Sequence, residues 1–195
     1  MLKIGITGGI GSGKSVVCKA FETCGAKVYN ADTAAKRLMQ ENDVLKNEIV
    51  TQFGNVYDKN GSLYREKLAD LIFGNPDRLK KLNSLVHPVV IADYDQWQAL
   101  QTFHYVIKES AILFESNTNK GLDYVIVVEA PESLRIMRIS QRDKKTEKQI
   151  REIMMNQMTD EKRKELADFI IINNDEVPLL PQVWTLHEKF LNGNK

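Results

Sequence analysis

Gly8-Gly9-Ile10-Gly11-Ser12-Gly13-Lys14-Ser15 fits the pattern G-x-x-x-x-G-K-[ST], with Gly8 and Gly13 as the framing glycines. Ahead of it Leu2-Lys3-Ile4-Gly5-Ile6 reads as a short strand, and behind it Val16, Val17, Ala20 and Phe21 recur at helical spacing. Strand, glycine loop and helix is the context in which this pattern binds phosphate. Glycines let the backbone turn through positive φ and bring several N–H groups around an anion without obstruction from side chains. A helix opening near Gly13 adds its unpaired N–H groups and the positive end of its dipole. Lys14 then reaches the β- and γ-phosphates and the Ser15 hydroxyl ligates Mg²⁺, while Gly8, Gly11, Ser12, Gly13 and Val16 complete the cradle. A bare strand-to-helix turn would explain neither the glycines nor Lys-Ser at the helix start. The stretch reads as a nucleoside triphosphate site.

At 195 residues the chain can bury a real core, as one domain carrying insertions or as two small ones. Charged residues at 27% and hydrophobic ones at 43% are ordinary for a soluble globular protein. Lys+Arg of 27 against Asp+Glu of 26 leaves no global field to recruit nucleic acid or membrane. No basic leader and apolar run precede the first strand, and no segment approaches a membrane span, so a cytoplasmic location is expected. Cys18 and Cys24 have the spacing of neither a redox pair nor a zinc half-site and read as reduced thiols.

The first helix is expected to stop near Cys24-Gly25, followed by a strand at Lys27-Val28-Tyr29 and a helix from Thr33 through Leu38 and Met39. Asp32 therefore falls where a strand ends and a helix begins, the edge at which open parallel sheets bind ligands; a helix N-cap is the structural alternative. From about Glu41 to Gln101 the pattern is helical. Val44, Leu45, Ile49, Val50 and Phe53 form one apolar set. Asp58-Lys59-Asn60-Gly61 is a turn, and Arg65 to Phe73 a helix with Leu68, Ala69, Leu71 and Ile72 inward. Leu79, Leu82, Leu85 and Val86 lead to His87-Pro88, after which a further helix runs through Val90, Tyr94 and Trp97. A helical block of about 60 residues is too long for a plain crossover and reads as a substrate-binding insertion.

The sheet resumes with His104 to Glu109 and with Tyr124 to Glu129, the latter nearly unbroken apolar as in a strand buried on both faces. Pro131 opens a helix, charged helical sequence continues to Arg163, Phe169 to Ile172 is a last strand, and a helix around Val183, Trp184, Leu186 and Phe190 ends the fold. The expected architecture is an α/β P-loop NTPase three-layer fold: a parallel sheet, a helical substrate-binding insertion and a helical lid. Residues 1–32, 102–133 and 160–195 form the nucleotide-binding core, 33–101 the acceptor-binding insertion and 134–159 the lid.

Arg135, Arg138 and Arg142 share one helical face. Arginines from a mobile segment stabilise charge on a transferring phosphoryl group, and Arg138 and Arg142 are the stronger candidates. Glu109, Glu115 and Glu129 lie near element ends, and the sequence does not choose among them as partners of Mg²⁺. The letters D-x-x-G at Asp58 to Gly61 and the near match to N-K-x-D at Asn119 to Asp123 stand in the wrong structural contexts for a guanine switch.

Several separated stretches together resemble the dephospho-coenzyme A kinase family. They begin with Gly5-Ile6-Thr7 and the glycine loop, and continue with Asn30-Ala31-Asp32, where the family usually shows Asp-Ala-Asp. Gly61 to Arg65, Leu68, Ile72-Phe73, Asn75-Pro76, Leu82-Asn83 and His87-Pro88 follow. Leu113-Phe114-Glu115, Arg138, Arg142-Asp143, Gln157, Ala167-Asp168 and Ile172-Asn173-Asn174 complete the set. Asn30 and Ala111 depart from it, standing where Asp and Pro are usual. The resemblance implies transfer of the ATP γ-phosphoryl group to the 3′-hydroxyl of the ribose of dephospho-CoA, with ATP and Mg²⁺ as cofactors. It implies Asp32 as base, Lys14 and Arg138 at the transferring group with Arg142 behind, Arg65 and His87 on the acceptor, and Asn173 and Asn174 near the adenine. The expected partner is a small molecule, with no nucleic acid or membrane, and the chain is expected to be a monomer or weak homo-oligomer. The rival expectations are a kinase of the same fold for another small acceptor and a slowly hydrolysing regulatory protein.

Overall fold

β1 (Leu2–Thr7), β2 (Lys27–Asn30), β3 (Tyr105–Glu109), β4 (Tyr124–Glu129) and β5 (Phe169–Ile172) form one sheet in the order β2-β3-β1-β4-β5, every neighbouring pair parallel. The computed structural model describes residues 1–193. Its helices, in chain order, are α1 (Lys14–Thr23), α2 (Ala31–Glu41), α3 (Asp43–Phe53), α4 (Arg65–Ile72), α5 (Pro76–Ala99), α6 (Glu132–Asp143), α7 (Glu147–Met155), α8 (Asp160–Glu165) and α9 (Leu179–Leu191). The chain divides into two units, one holding residues 1–30 with those from Leu100 onward, the other Ala31–Ala99.

The first unit is three layers. Alternation along the strands sends Ile4, Ile6, Ile107, Ile126, Val128 and Ile171 to one face, where Val17, Cys18, Ala20 and Phe21 of α1 and Val183 and Phe190 of α9 cover them. The opposite face sets Val125 and Val127 against Leu113 and Phe114 of the turns after β3. β3 is buried at all five residues, Lys108 and Glu109 included. The chain leaves β1 toward the β2–β3 side, and after β3 it crosses to the β4–β5 side. The carboxyl end of β1 therefore lies where the winding reverses, which is where such sheets bind ligands.

In the second unit α2, α3 and α4 pack on α5. The expected break at His87-Pro88 does not occur: α5 runs unbroken for 24 residues with Pro88 inside it. Leu82, Val86, Val90 and Tyr94 are its buried residues, one every four positions, so the apolar stripe keeps its phase across the proline. Packing of that stripe outweighs the roughly 3 kcal/mol that a proline costs a helix interior. Several inward assignments are also corrected. Val44 and Val50 are exposed, Ala69 is exposed, and α4 buries Leu68 alone, with Leu71 and Ile72 only partly covered. The Asp58 turn holds as read, its Oδ1 accepting from the N–H groups of Asn60 and Ser62. No described helix is long and apolar enough to cross a membrane.

Candidate active site

The loop between β1 and α1 closes on itself. Lys14 turns back so that its Nζ donates to the carbonyls of Gly8 (2.9 Å) and Gly9 (3.4 Å), and the Ser12 N–H donates to Gly9 at 3.1 Å. Gly8, Gly11 and Gly13 all have positive φ. Gly13 needs it most: as N-cap of α1 it sits at φ 91° and ψ 27°, with no side chain capping the helix. With no side chain in the capping position the first turn of α1 is open to an anion, which the helix dipole attracts. The hydroxyls of Thr7 and Ser12 are buried without a hydrogen-bond partner, a pattern that calls for a functional account when it clusters at a loop. Ser15 and Val16 open α1 on its exposed side.

β5 and α6 bring further groups to the loop. Asn173 follows β5 and its Nδ2 donates to the Ser12 carbonyl at 2.8 Å. Arg138 Nη1 donates to the Asn173 carbonyl at 3.1 Å and Nη2 to Asp175 at 2.5 Å. Ser12, Asn173 and Arg138 are therefore one cluster, built from three distant stretches of sequence. Asn174 turns elsewhere, its Oδ1 accepting from the N–H groups of Glu176 and Val177 in a local turn. Arg142 is the outermost of the three arginines, with a side chain 64% exposed, and makes two hydrogen bonds to Asp143. That pairing raises the pKa of Arg142 and lowers that of Asp143. Arg135 is not on an exposed face with the others. It is buried, and its Nε donates to the Ile10 carbonyl at 2.9 Å.

The structure separates the three carboxylates that sequence left equivalent. Glu115 accepts the Met158 N–H and faces Arg163, and Glu129 is paired with Lys164 at 2.5 Å. Glu109 is 5% exposed at the carboxyl end of β3, in register with Ile6 of the loop-bearing strand on one side and Asn30 on the other. The Asn30 amide donates to its Oε2. Glu109 shares the sheet face of Tyr105 and Ile107, which α1 covers. Burial chiefly, then the negative charge of Glu109, pushes the thiol of Cys18 on α1 up. The hint available in the sequence was a carboxylate ending a largely apolar strand.

A hydroxyl in the first turn of α1 and a carboxylate at the neighbouring strand end suit Mg²⁺, which takes one or two protein groups plus substrate phosphates. Among the described residues no three His, Cys, Asp or Glu gather as an all-protein metal cage. Asp32 is the second residue of α2, two after the end of β2, and half-buried. It belongs to the helical unit, as do Arg65, exposed at the start of α4, and His87, partly buried inside α5.

The family model for dephospho-CoA kinase matches residues 2–178 of this chain. The dephospho-CoA kinase of Coxiella burnetii is 39% identical over 194 residues, covering 98% of each chain. A crystal structure from Thermus thermophilus superposes with a TM-score of 0.85 at 28% identity, covering 100% of this chain and 98% of the other. The dephospho-CoA kinase of Campylobacter jejuni superposes with a TM-score of 0.73 at 27% identity, covering 99% and 98%. A family model spanning most of the sequence and a full-length relative at this identity agree with the glycine loop and the sheet order, and the chain belongs to the dephospho-CoA kinase family.

Proposed function

We propose that this chain is an ATP-dependent kinase that phosphorylates the 3′-hydroxyl of the ribose of dephospho-CoA, giving CoA and ADP in the last step of coenzyme A biosynthesis. The observation that carries this reading is the end-to-end match to dephospho-CoA kinases, with the phosphate-binding loop intact.

In this reading the loop N–H groups and Lys14 hold the β- and γ-phosphates. Ser15 and Glu109 would hold Mg²⁺, which when bound neutralises charge on those phosphates. Asp32 orients the acceptor hydroxyl and takes its proton, a task that needs a carboxylate within hydrogen-bond reach of the nucleophile. Asn30 has no proton-accepting side chain, and its amide serves instead to hold the Glu109 carboxylate. Arg138, with Arg142 behind it, closes over the transferring group, and its bonds to Asn173 and Asp175 are the contacts it would exchange in doing so. Asn173 and the backbone at Asn174 meet the adenine. Arg65 and His87 contact dephospho-CoA within the helical unit, residues 134–159 act as the lid, and the enzyme works in the cytoplasm as a monomer or weak homo-oligomer.

The test is ADP release from Mg²⁺-ATP with and without dephospho-CoA, with AMP, shikimate and gluconate as control acceptors. Stimulation by dephospho-CoA alone, with CoA as product, supports the reading. Stimulation by a control acceptor alone overturns the assignment of the acceptor, and stimulation by none overturns the kinase.

A further inference from the structure

Gly9, Ile10 and Gly11 form the crown of the loop, and both backbone polar groups of Ile10 are held from outside it by side chains. The Ile10 N–H donates to Oε1 of Gln157, two residues past α7, at 2.9 Å. The Ile10 carbonyl accepts from Nε of Arg135, in the first turn of α6, at 2.9 Å. Peptide units here are planar and trans, so each grip also aims the other half of its unit in the opposite direction. With the Ile10 N–H drawn to Gln157, the Gly9 carbonyl faces the other way and accepts from Ser12 N–H and Lys14 Nζ. With the Ile10 carbonyl drawn to Arg135, the Gly11 N–H faces away from Arg135.

Arg135 sits where local rules would not put it. A cation in the first turn of a helix opposes the dipole, and a buried guanidinium needs compensation. Asp160 supplies it, with one carboxylate oxygen 2.6 Å from Arg135 Nη1 and the other 2.8 Å from Arg163 Nη1. Glu115 stands 3.5 Å from Nη2 of the buried Arg163, balancing the second cation. The fit to the loop is equally close. A Cβ on Gly9 would stand 2.3–2.8 Å from the guanidinium atoms, so the glycine lets Arg135 lie against the crown. Placements that break a local rule and are offset elsewhere are characteristic of functional positions.

We infer that Arg135 is a positioning residue for phosphoryl transfer: held by Asp160, it orients the Ile10–Gly11 peptide so that the Gly11 N–H points at the nucleotide phosphates. The inference rests on the loop being an ATP site. It assigns Gly9 to the approach of an arginine rather than to the phosphate, and it ties the crown to the α7–α8 segment through Asp160 and Gln157.

The test is calorimetric titration of ADP and Mg²⁺-ATP into the wild-type chain, Arg135→Met and Arg135→Lys, with steady-state kinetics for both substrates. Arg135→Met is expected to weaken nucleotide affinity about tenfold, the scale of one charge-assisted hydrogen bond. KM for ATP rises with it while KM for the acceptor stays unchanged, and Arg135→Lys, which still donates to the Ile10 carbonyl, recovers part of the loss. Wild-type nucleotide affinity and KM per folded molecule in Arg135→Met overturn the inference. Failure of the wild-type chain to bind nucleotide overturns the ATP reading itself. Should Arg135→Met not fold, Gly9→Ala is read in its place, since its methyl group evicts the guanidinium while every other side chain stays. The same loss of affinity supports the inference, and unchanged affinity refutes it.

Discussion

Replacing Gly13 by alanine tests how the loop, α1 and the end of β5 are locked together. Gly13 is left-handed, at φ 91° and ψ 27°. Alanine pays about 1–2 kcal/mol to adopt that conformation. The added Cβ would stand 2.1 Å from Asn173 Nδ2, well inside contact, so the Asn173 amide must swing away. Its bond to the Ser12 carbonyl is then lost, at about 1 kcal/mol. Together Gly13→Ala is expected to destabilise the fold by about 2–3 kcal/mol, or about 4–12 °C in Tm at 2–4 °C per kcal/mol for a chain of this size. Asn173→Ala forfeits only the second contribution, about 1 kcal/mol. The double variant is the decisive one. Because Gly13→Ala has already displaced the amide, Gly13→Ala/Asn173→Ala is expected to match Gly13→Ala alone, less stable than wild type by about 2–3 kcal/mol and not by the sum of the singles. Thermal and urea unfolding followed by circular dichroism measure all three. Strict additivity would refute the claim that the amide is what the methyl group strikes.

Asp32→Asn is expected to lower kcat by at least about 10², the scale of general-base loss, while ATP affinity measured by calorimetry persists; near wild-type turnover removes Asp32 from the proton transfer. Glu109→Gln is expected to raise the half-saturating Mg²⁺ concentration about tenfold while metal-free ATP binding stays unchanged, a split that an unchanged Mg²⁺ dependence would rule out. His187 accounts for a pH effect. It is buried against Tyr105, whose hydroxyl lies 2.7 Å from His187 Nδ1, and burial lowers its pKa from the ordinary 6.5. The folded chain therefore binds fewer protons than the unfolded one near and below that pH. The contribution is fully present above about 6.5 and declines as pH falls through it. His187→Gln keeps an acceptor for the Tyr105 hydroxyl and removes the titration, so the fall in Tm between about pH 7 and 5.5 should flatten. An acid limb as steep as wild type would assign the effect to another group.

Residues close in sequence carried the nucleotide half of this protein. The apolar alternation of β1, the glycines, Lys14-Ser15 and the spacing of Val17, Ala20 and Phe21 act within a few turns of chain, so their pattern can be read without knowing any distant partner. The same holds for β4, whose apolar run needs burial on both faces wherever it lies. Asp32 stands out as a candidate because a strand end and a helix start meet there in the sequence itself, as they do in the fold.

What tertiary structure alone decided is which distant segments share a buried face. Pro88 reads as a helix break by local propensity, yet the stripe of Leu82, Val86, Val90 and Tyr94 packs straight through it. Arg135, Arg138 and Arg142 are equivalent by helical spacing. Packing of α6 on the loop buries the first, sets the second beside Asn173 and leaves the third exposed. Glu109, Glu115 and Glu129 are equivalent by chain position, and only the sheet order puts Glu109 beside the strand that carries the loop, whereas Glu115 faces Arg163 and Glu129 pairs with Lys164. Spacing states which face a side chain is on; what that face meets depends on the free energy of burying it against a surface made elsewhere in the chain.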